Sequence, residues 1–462
     1  MDDTHARIRQ FFRLRAACWR KALPLGSVLL PAAVLAATIV GTPEPDVLEG
    51  TVEADHIDGL EGADVMMGLF GDDTFVVDQA DDEVLEAEGD GTDTVISTAT
   101  YTLPIHVENL SLVGGSLAIN GTGNELDNRL RGNAGPNVLN GRAGTDTMFG
   151  LGGDDTFFVD RIADVVNEAA GAGLDTVRSS VSYTLPLNVE NLVLTGTAAN
   201  GTGNTLANTV TGNPANNRLT GLAGNDWLRG LGGNDRLIGG PGNDKITTGN
   251  GRDLIDFSKA PDAATNFDQI VDFNPASDMM RLIGSAFPTL PTAGTLAPER
   301  FRNGVTAATA DHRILYDAGT GVLRYDADGN GPTAAVKFAR LVNQAVVTHA
   351  NFTVVKPVAS AVDFDQVQEI FTGRCIGCHN VSSAPHGLIL VEGQSHALLV
   401  NIPSKEVPSL MRVEPGDPDN SYLVQKVEGT AAVGGRMPLN RTPLTDEQIA
   451  LIRRWISEGA NP

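Results

Sequence analysis

Large apolar residues are sparse and evenly spaced through the first half of the chain. Leu48, Ile57, Met66 and Phe75 each stand eighth in a nonapeptide opened by Gly41, Gly50, Gly59 and Gly68, with Asp46, Asp55, Asp64 and Asp73 sixth. The register returns at Gly123, Gly132, Gly141 and Gly150, where Asn128, Asn137, Asp146 and Asp155 are sixth. A third array runs from Gly203 through Gly212, Gly221, Gly230 and Gly239, with Asn208, Asn217, Asp226, Asp235 and Asp244 sixth, and Gly251, Asp253 and Ile255 make one more imperfect turn. The period predicts one half-coil per nonapeptide: a glycine-rich turn, then a short strand whose single large residue points inward. Two nonapeptides close a coil, and stacked coils form a parallel β-roll. Glycine supplies the positive φ values that such tight turns need.

A longer repeat lies above the short one. "GDDTFVVD" at 71–78 recurs as "GDDTFFVD" at 153–160, "YTLP" at 101 recurs at 183, "VENL" at 107 recurs at 189 and "NGTGN" at 120 recurs at 200. The chain has therefore duplicated a unit of about eighty residues. Within it, "DTVISTATYTLP" and "DTVRSSVSYTLP" are rich in Thr, Val, Ser and Tyr and read as strands that carry the solenoid between arrays. From 258 to 355 the nonapeptide dissolves into alternating strands with Gly-rich turns, a β-rich cap on the roll. Asp326, Asp328 and Asn330 lie in a D-x-D-G stretch there, but no bidentate acid follows at the distance a calcium loop requires, which favours a hairpin turn. Residues 356–362, with Pro357, read as a linker. Beyond it, Phe364, Val367, Ile370 and Phe371 recur at near-helical spacing, and Ile449, Ile452, Trp455 and Ile456 line a second helix opened by a Thr445/Gln448 capping box. The fold class is thus multidomain: an all-β parallel roll over 41–257 with its cap, then a small all-α domain over 363–462.

Charge says what the turns require. The net charge of -24 makes nucleic acid an unsuitable partner, since phosphate binding depends on Lys and Arg. Stacked turns bring aspartates of different repeats side by side, where bare carboxylates repel, so the row calls for a divalent cation; all-oxygen ligands favour calcium. Residues 1–37, basic and then apolar with Cys18 inside, read as a signal peptide cleaved after Ala36 or Ala37, although the apolar run approaches the length of an anchor helix. No later segment is long and apolar enough to span a membrane.

"GLGGDDTFF" at 150–158 and "GLGGNDRLI" at 230–238 resemble the RTX family of calcium-binding repeats, consensus G-G-x-G-x-D-x-U-x. The resemblance implies ions shared between turn carbonyls and the sixth-position aspartates of alternate repeats, with Asp64, Asp73, Asp146, Asp155, Asp226, Asp235 and Asp244 as ligands. Gly41 and Gly50 open repeats without glycine in fourth place, and asparagine stands at 128, 137, 208 and 217. Those coils are expected to be held by amide ladders and to bind cations weakly or not at all. The cap is similar to the segment that follows the repeats in RTX exoproteins, including serralysin-type proteases; no H-E-x-x-H occurs in the chain, which removes a zinc protease.

The two remaining cysteines fall in Cys375-Ile376-Gly377-Cys378-His379, the attachment signature of covalent haem. Two thioether bonds would fix the macrocycle and His379 would ligate the iron; a redox dithiol or a zinc site lacks its expected surround. The last hundred residues resemble a small class I c-type cytochrome, a likeness that implies helices crossing with Phe371 near Trp455. Met437, in "GGRMPLN", matches the Met-Pro setting of the distal ligand, against Met411, His386, His396 or an open position. Three functions stay open. The leading one is an exported single-electron carrier with one haem c, several calcium ions and a redox partner, having no membrane span once the leader is removed. The second is a calcium-dependent surface or adhesion protein with an accessory haem sensor, and the third a haem peroxidase, should the sixth position be open. Passage through the periplasm is expected, with periplasm or exterior as the final address.

Overall fold

The computed structural model describes residues 35–290, 293–356, 362–439 and 442–461. The expected leader lies almost wholly outside the described residues, as do Cys18 and most of the expected linker. The chain divides into two compact units, 1–356 and 357–462.

In the first unit each strand pairs in parallel with the next strand but one. Thr38–Val40 joins His56–Asp58, and Val47–Glu49 joins Val65–Met67, an offset of 18 residues that is two nonapeptides. This register stacks every eighth-position side chain on its counterpart one coil away. Ile39, Ile57, Phe75, Val95, Leu110, Leu130, Met148 and Val166 make one column. Leu139, Phe157, Val177, Leu192, Val210, Leu228, Ile246 and Ile270 make a second. Nearly all of these are fully buried. Each such side chain contributes about 1.5–3 kcal/mol on burial, and the parallel ladders satisfy the backbone around it. A chain with few aromatics can therefore hold a long fold through one apolar residue per half-coil. The strands expected between the arrays, Thr94–Ser97 and Asn109–Leu112 with their duplicates Thr176–Ser179 and Asn191–Leu194, lie within these same sheets.

Parallel stacking runs past residue 257. Asp268–Ile270 and Met279–Ile283 extend two columns, because Ile270 and Met280 keep the inward position although the glycine signal has gone. An antiparallel meander follows, Ile314–Asp317, Val322–Tyr325 and Val336–Leu341, whose last strand returns parallel to Asp268–Ile270. Here the interior thickens: Phe257, Phe287, Tyr325 and Phe338 meet edge to face with ring centroids 5.0 to 5.3 Å apart.

Among the described residues the second unit holds four α-helices: α1 (Phe364–Arg374), α2 (Ser395–Leu399), α3 (Tyr422–Glu428) and α4 (Asp446–Ser457). Asp363 caps α1 by accepting the Asp365 N–H, and the expected capping box opens α4, with Thr445 and Gln448 each accepting the other's backbone N–H. One apolar cluster unites them, including Val367, Phe371, Leu399, Val424, Ile452 and Trp455. Phe371 and Trp455 both lie in this cluster. Phe364 is the ring against Trp455, at 5.1 Å, and Phe371 sits behind it at 6.3 Å from Phe364. Phe364, in the first turn of α1, reaches the indole; the sequence stripe alone does not rank residues along it. No helix among the described residues is long and apolar enough to cross a membrane.

Candidate functional site

The turns of the roll come in two forms. In the aspartate form the second residue of the nonapeptide is left-handed although it carries a side chain: Leu60, Leu69, Arg142, Leu151, Leu222 and Leu231 have φ between 63° and 80°. The fourth residue is a glycine at positive φ, as at Gly71 with 117°. Left-handed backbone costs a side-chain-bearing residue about 1–2 kcal/mol. The sixth-position carboxylate then does two things. Its Oδ1 accepts the backbone N–H of the sixth residue one coil earlier, at 2.8 Å for Asp46 to Asp64 and for Asn217 to Asp235. Its Oδ2 is buried with no hydrogen-bond donor in Asp64, Asp73, Asp155, Asp226, Asp235 and Asp244, and also in Asp253. Asp146 shares the turn form and the Oδ1 bond, 2.8 Å from the Asn128 N–H. Among the described residues none of these aspartates is paired with Arg or Lys, whereas the buried Asp256 is bracketed by Arg236 and Arg281 at 2.6 and 3.0 Å. A buried carboxylate oxygen with no donor and no cationic side chain calls for an explanation, and a bound cation would supply one.

In the asparagine form the second residue is itself asparagine and stays at negative φ, so its N–H points back at the sixth side chain. Asn124 N–H donates to Asn128 Oδ1 at 2.7 Å, and Asn204 to Asn208, Asn133 to Asn137 and Asn213 to Asn217 repeat the contact. The amide nitrogen of the sixth residue donates to carbonyls of the preceding coil: Asn137 Nδ2 to Ile119 O at 2.6 Å, Asn217 Nδ2 to Ala198 O at 2.9 Å. An NH₂ group thus engages carbonyls that a cation would otherwise draw on. These turns are closed hydrogen-bond ladders, in line with the sequence expectation. Asp46 and Asp55 belong with them in geometry: Thr42 N–H donates to Asp46 at 2.6 Å and Thr51 N–H to Asp55, and neither turn carries the left-handed pair.

Glycine in first place is required by crowding at this row. A Cβ on Gly68 would lie 2.0 Å from Asp73 Oδ2, and one on Gly150 would lie 2.3 Å from Asp155 Oδ2. Burial raises the turn carboxyls, Asp73, Asp146 and Asp244 to about 6 and Asp155, Asp226 and Asp235 to about 7, with neighbouring acids adding to the rise in most of them. The Asp64 carboxyl is raised for the same reason.

Four further acids join the row that the repeat consensus did not point to. Glu86 and Asp93 lie beside Asp73, and Glu168 and Asp175 beside Asp155; in each trio one oxygen from every carboxylate falls within 4.8 Å of the others. A sequence signal for them exists. Positions 86 and 168 are the glycine positions one coil after Gly68 and Gly150, and glutamate fills both.

In the second unit Cys375 follows the last residue of α1, half-buried, while Cys378 is exposed; both are free thiols. His379 Nδ1 is 3.0 Å from Leu388 O, so with the proton on Nδ1 the ring donates there and keeps Nε2 for a metal. Met437 is half-buried on the segment after α3, its N–H donating to Lys426 O at 2.8 Å. His396 is committed elsewhere: Nε2 lies 2.8 Å from Ala460 O and the ring packs on Phe364 and Trp455. His386 is more than half exposed and lies near Glu406, and Met411 is half-buried. In the cap, Asp328 Oδ2 accepts the Thr333 N–H at 3.0 Å, while Asp326 is buried.

With this geometry established, comparison with known families finds the RTX calcium-binding nonapeptide repeat in four copies, at residues 40–75, 122–157, 202–237 and 229–259. The chain carries RTX-type nonapeptide repeats on a parallel β-solenoid, and these repeats support calcium binding. No curated protein matches it. Among solved structures it is similar to a subunit of the mannuronan C5-epimerase of Azotobacter vinelandii, 24% identical over 34% of this chain and 81% of that one, TM-score 0.22. It is also similar to an extracellular lipase of Serratia marcescens, 15% identical over 57% of this chain and 45% of that one, TM-score 0.21.

Proposed function

We propose that the protein is an exported, calcium-dependent scaffold whose C-terminal unit carries one covalently attached haem c for single-electron transfer. Supporting the calcium half are the donor-less Oδ2 atoms of the left-handed turns, each a hard oxygen in a water-poor setting. The seven aspartates 64, 73, 146, 155, 226, 235 and 244 would hold the ions, with Asp253 added by its orphaned Oδ2.

The observation that carries the haem half is the setting of Cys-x-x-Cys-His at the end of α1, with the His379 Nδ1–H directed to the Leu388 carbonyl. That hydrogen bond fixes the ring's tautomer and presents Nε2, the preparation a metal-ligating histidine needs. Burial pushes the Cys375 thiol up to about 11, the reverse of the lowered value on which a thiol-exchange centre depends. With His396 hydrogen-bonded into the core, Met437 is the better second ligand. Cys375 and Cys378 would tether the group, His379 and Met437 would hold its iron, and haem bound there supplies one-electron redox chemistry. Phe371 and its neighbours in the helical cluster would exclude water from that side.

The test is an absorption spectrum of the full chain from a host that matures haem c, oxidised and reduced, followed by acid-acetone extraction. Retained colour with a low-spin, thioether-ligated spectrum is expected, and Met437→Ala should abolish the thioether-to-iron band. Loss of colour on extraction removes the redox function. A five-coordinate spectrum with peroxidase turnover would move it to the enzyme class.

A further inference from the structure

Each duplicated unit leaves its nonapeptide run through an irregular coil. Sixth-position residues stacked one coil apart are separated by 18 residues within the arrays, but Asp73 is stacked under Asp93 and Asp155 under Asp175, steps of 20 closed by the Asp73 N–H to Asp93 Oδ1 bond at 2.9 Å and its duplicate at 2.8 Å. Into this wider coil comes the glutamate that replaces the turn glycine. Glu86 Oε1 accepts the Gly68 N–H at 2.9 Å, placing its carboxylate over the glycine where Asp73 Oδ2 also arrives. At the second copy a Cβ on Gly150 would meet Glu168 Oε1 at 1.9 Å and Asp155 Oδ2 at 2.3 Å. Three carboxylates therefore converge at each place.

Asp73, Asp93, Asp155 and Asp175 are at most 1% exposed, and Oδ2 of Asp73, Asp155 and Asp175 has no hydrogen-bond donor. Behind them Glu108 and Glu190 accept the N–H groups of Asp93 and Asp175, so the surround is acidic rather than compensating. The third array supplies an internal contrast. Its corresponding position holds Thr248, whose hydroxyl lies 3.0 Å from Asp272 Oδ1 and 3.4 Å from Asp278 Oδ2, so a hydroxyl donor answers the carboxylates there.

We infer that Asp73–Glu86–Asp93 and Asp155–Glu168–Asp175 are two all-carboxylate calcium sites, in which a glutamate and a second aspartate join a nonapeptide aspartate, and that they bind more tightly than the other nonapeptide sites and lock the end of each array. The inference rests on the calcium reading of the repeats but names residues outside their consensus. A nonapeptide site combines neutral carbonyls with Asp; these sites gather three formal negative charges in a water-poor turn, and more ligand charge tightens calcium binding. The site's burial disfavours magnesium, which retains waters. Ligand binding to the folded state alone stabilises it, so the two sites hold the irregular coils from which the next array continues.

The experiment is calcium titration of the full chain, wild type and E86Q/E168Q, in chelator-buffered calcium, counting bound ions by mass spectrometry. Expected is the loss of two ions per chain from the tightest class, or their weakening by at least about tenfold, with far-UV circular dichroism at saturating calcium unchanged. Tight binding unchanged within twofold overturns the proposal. If the glutamine chain does not fold in saturating calcium, E86D/E168D keeps the charge but withdraws it by one methylene; the same loss is expected, and unaltered binding is again decisive against it. The D226N/D235N chain separates the two levels. If it sheds ions while E86Q/E168Q does not, only the carboxylate trios fall; if wild type binds no calcium, the calcium reading beneath them falls as well.

Discussion

Aspartate turns and asparagine turns alternate along one solenoid on the same strand register, and they solve one problem in opposite ways. Both must satisfy a sixth-position side chain packed against a glycine and beneath the previous coil. Asparagine brings its own donor: Asn208 Nδ2 reaches Val189 O and Glu190 O at 3.1 and 3.2 Å, and its oxygen accepts the Asn204 N–H. Aspartate has no donor, and in the left-handed turns from Asp64 onward the second residue is at positive φ, so that the N–H which closes the asparagine turn makes no such bond. The sixth side chain and the form of its turn together decide whether a coil closes on itself, and the closed turns at Asp46 and Asp55 show that aspartate alone does not open one. A solenoid with both kinds is expected to have segments whose folding is indifferent to calcium and segments whose folding is not.

The strongest test of that contrast is calcium removal. Each ion present at about 100 times its Kd adds ~2.7 kcal/mol to the folded state, so stripping several with a chelator should unfold the aspartate segments, read as loss of β signal in circular dichroism. Hydrogen exchange should then show protection persisting longest at 123–140 and 203–220, where the asparagine ladders lie. Uniform loss across both would mean that the two turn types are not energetically distinct.

Next in size is Asn217→Asp. It deletes the Nδ2 bonds to Ala198 O and Asn213 Oδ1 and buries a charge without the left-handed turn that opens the site. A cost of about 2–4 kcal/mol is expected by denaturant unfolding, not recovered with added calcium. Full recovery by calcium would show that charge alone makes a site and that turn form is irrelevant.

pH separates the turns as well. The Asp155, Asp226 and Asp235 carboxyls, raised by burial to about 7 from an ordinary value near 4, hold protons in the folded, metal-free chain that the unfolded chain has released. Metal-free stability should therefore be highest below about pH 4 to 5 as far as these groups are concerned, and fall as pH rises through 6 and 7. Calcium displaces those protons, so its affinity should rise over the same interval. Thermal melts with chelator at pH 5 and 8, and titrations with calcium at both, check the two signs.

The smallest effect is at second place. Leu222→Gly relieves a left-handed residue and should change stability by no more than about 1 kcal/mol, whereas Asn204→Gly removes bonds to Pro186 O and Val189 O and should cost about 2 kcal/mol. Equal costs would contradict the difference in turn construction.

The roll was legible because its signal is periodic and local: Gly68, Asp73 and Phe75 each have one task, repeated every nine residues. What escaped depends on contacts across coils. Glu86 and Glu168 are ordinary acids until the 18-residue step places them over Gly68 and Gly150, and the family consensus, which names only sixth-position acids, directs attention away from them. The continuation of parallel stacking through Ile270 and Met280 was hidden for a similar reason, since inward position survives where glycine does not. In the helical unit the capping box was readable, its Thr445 and Gln448 standing only three positions apart, while the packing of Phe364 on Trp455 is a matter of helix placement that spacing does not encode.

The most direct measurement of the central claim is the number of calcium ions bound per chain before and after D226N/D235N/D244N, with far-UV circular dichroism followed during chelation. Wild type should bind several ions and lose β signal on chelation, and the triple variant should bind fewer ions while the residual fold depends less on calcium. Equal ion counts, or a β signal indifferent to chelator in the wild type, would show that the donor-less aspartate oxygens of this solenoid are not where calcium is held.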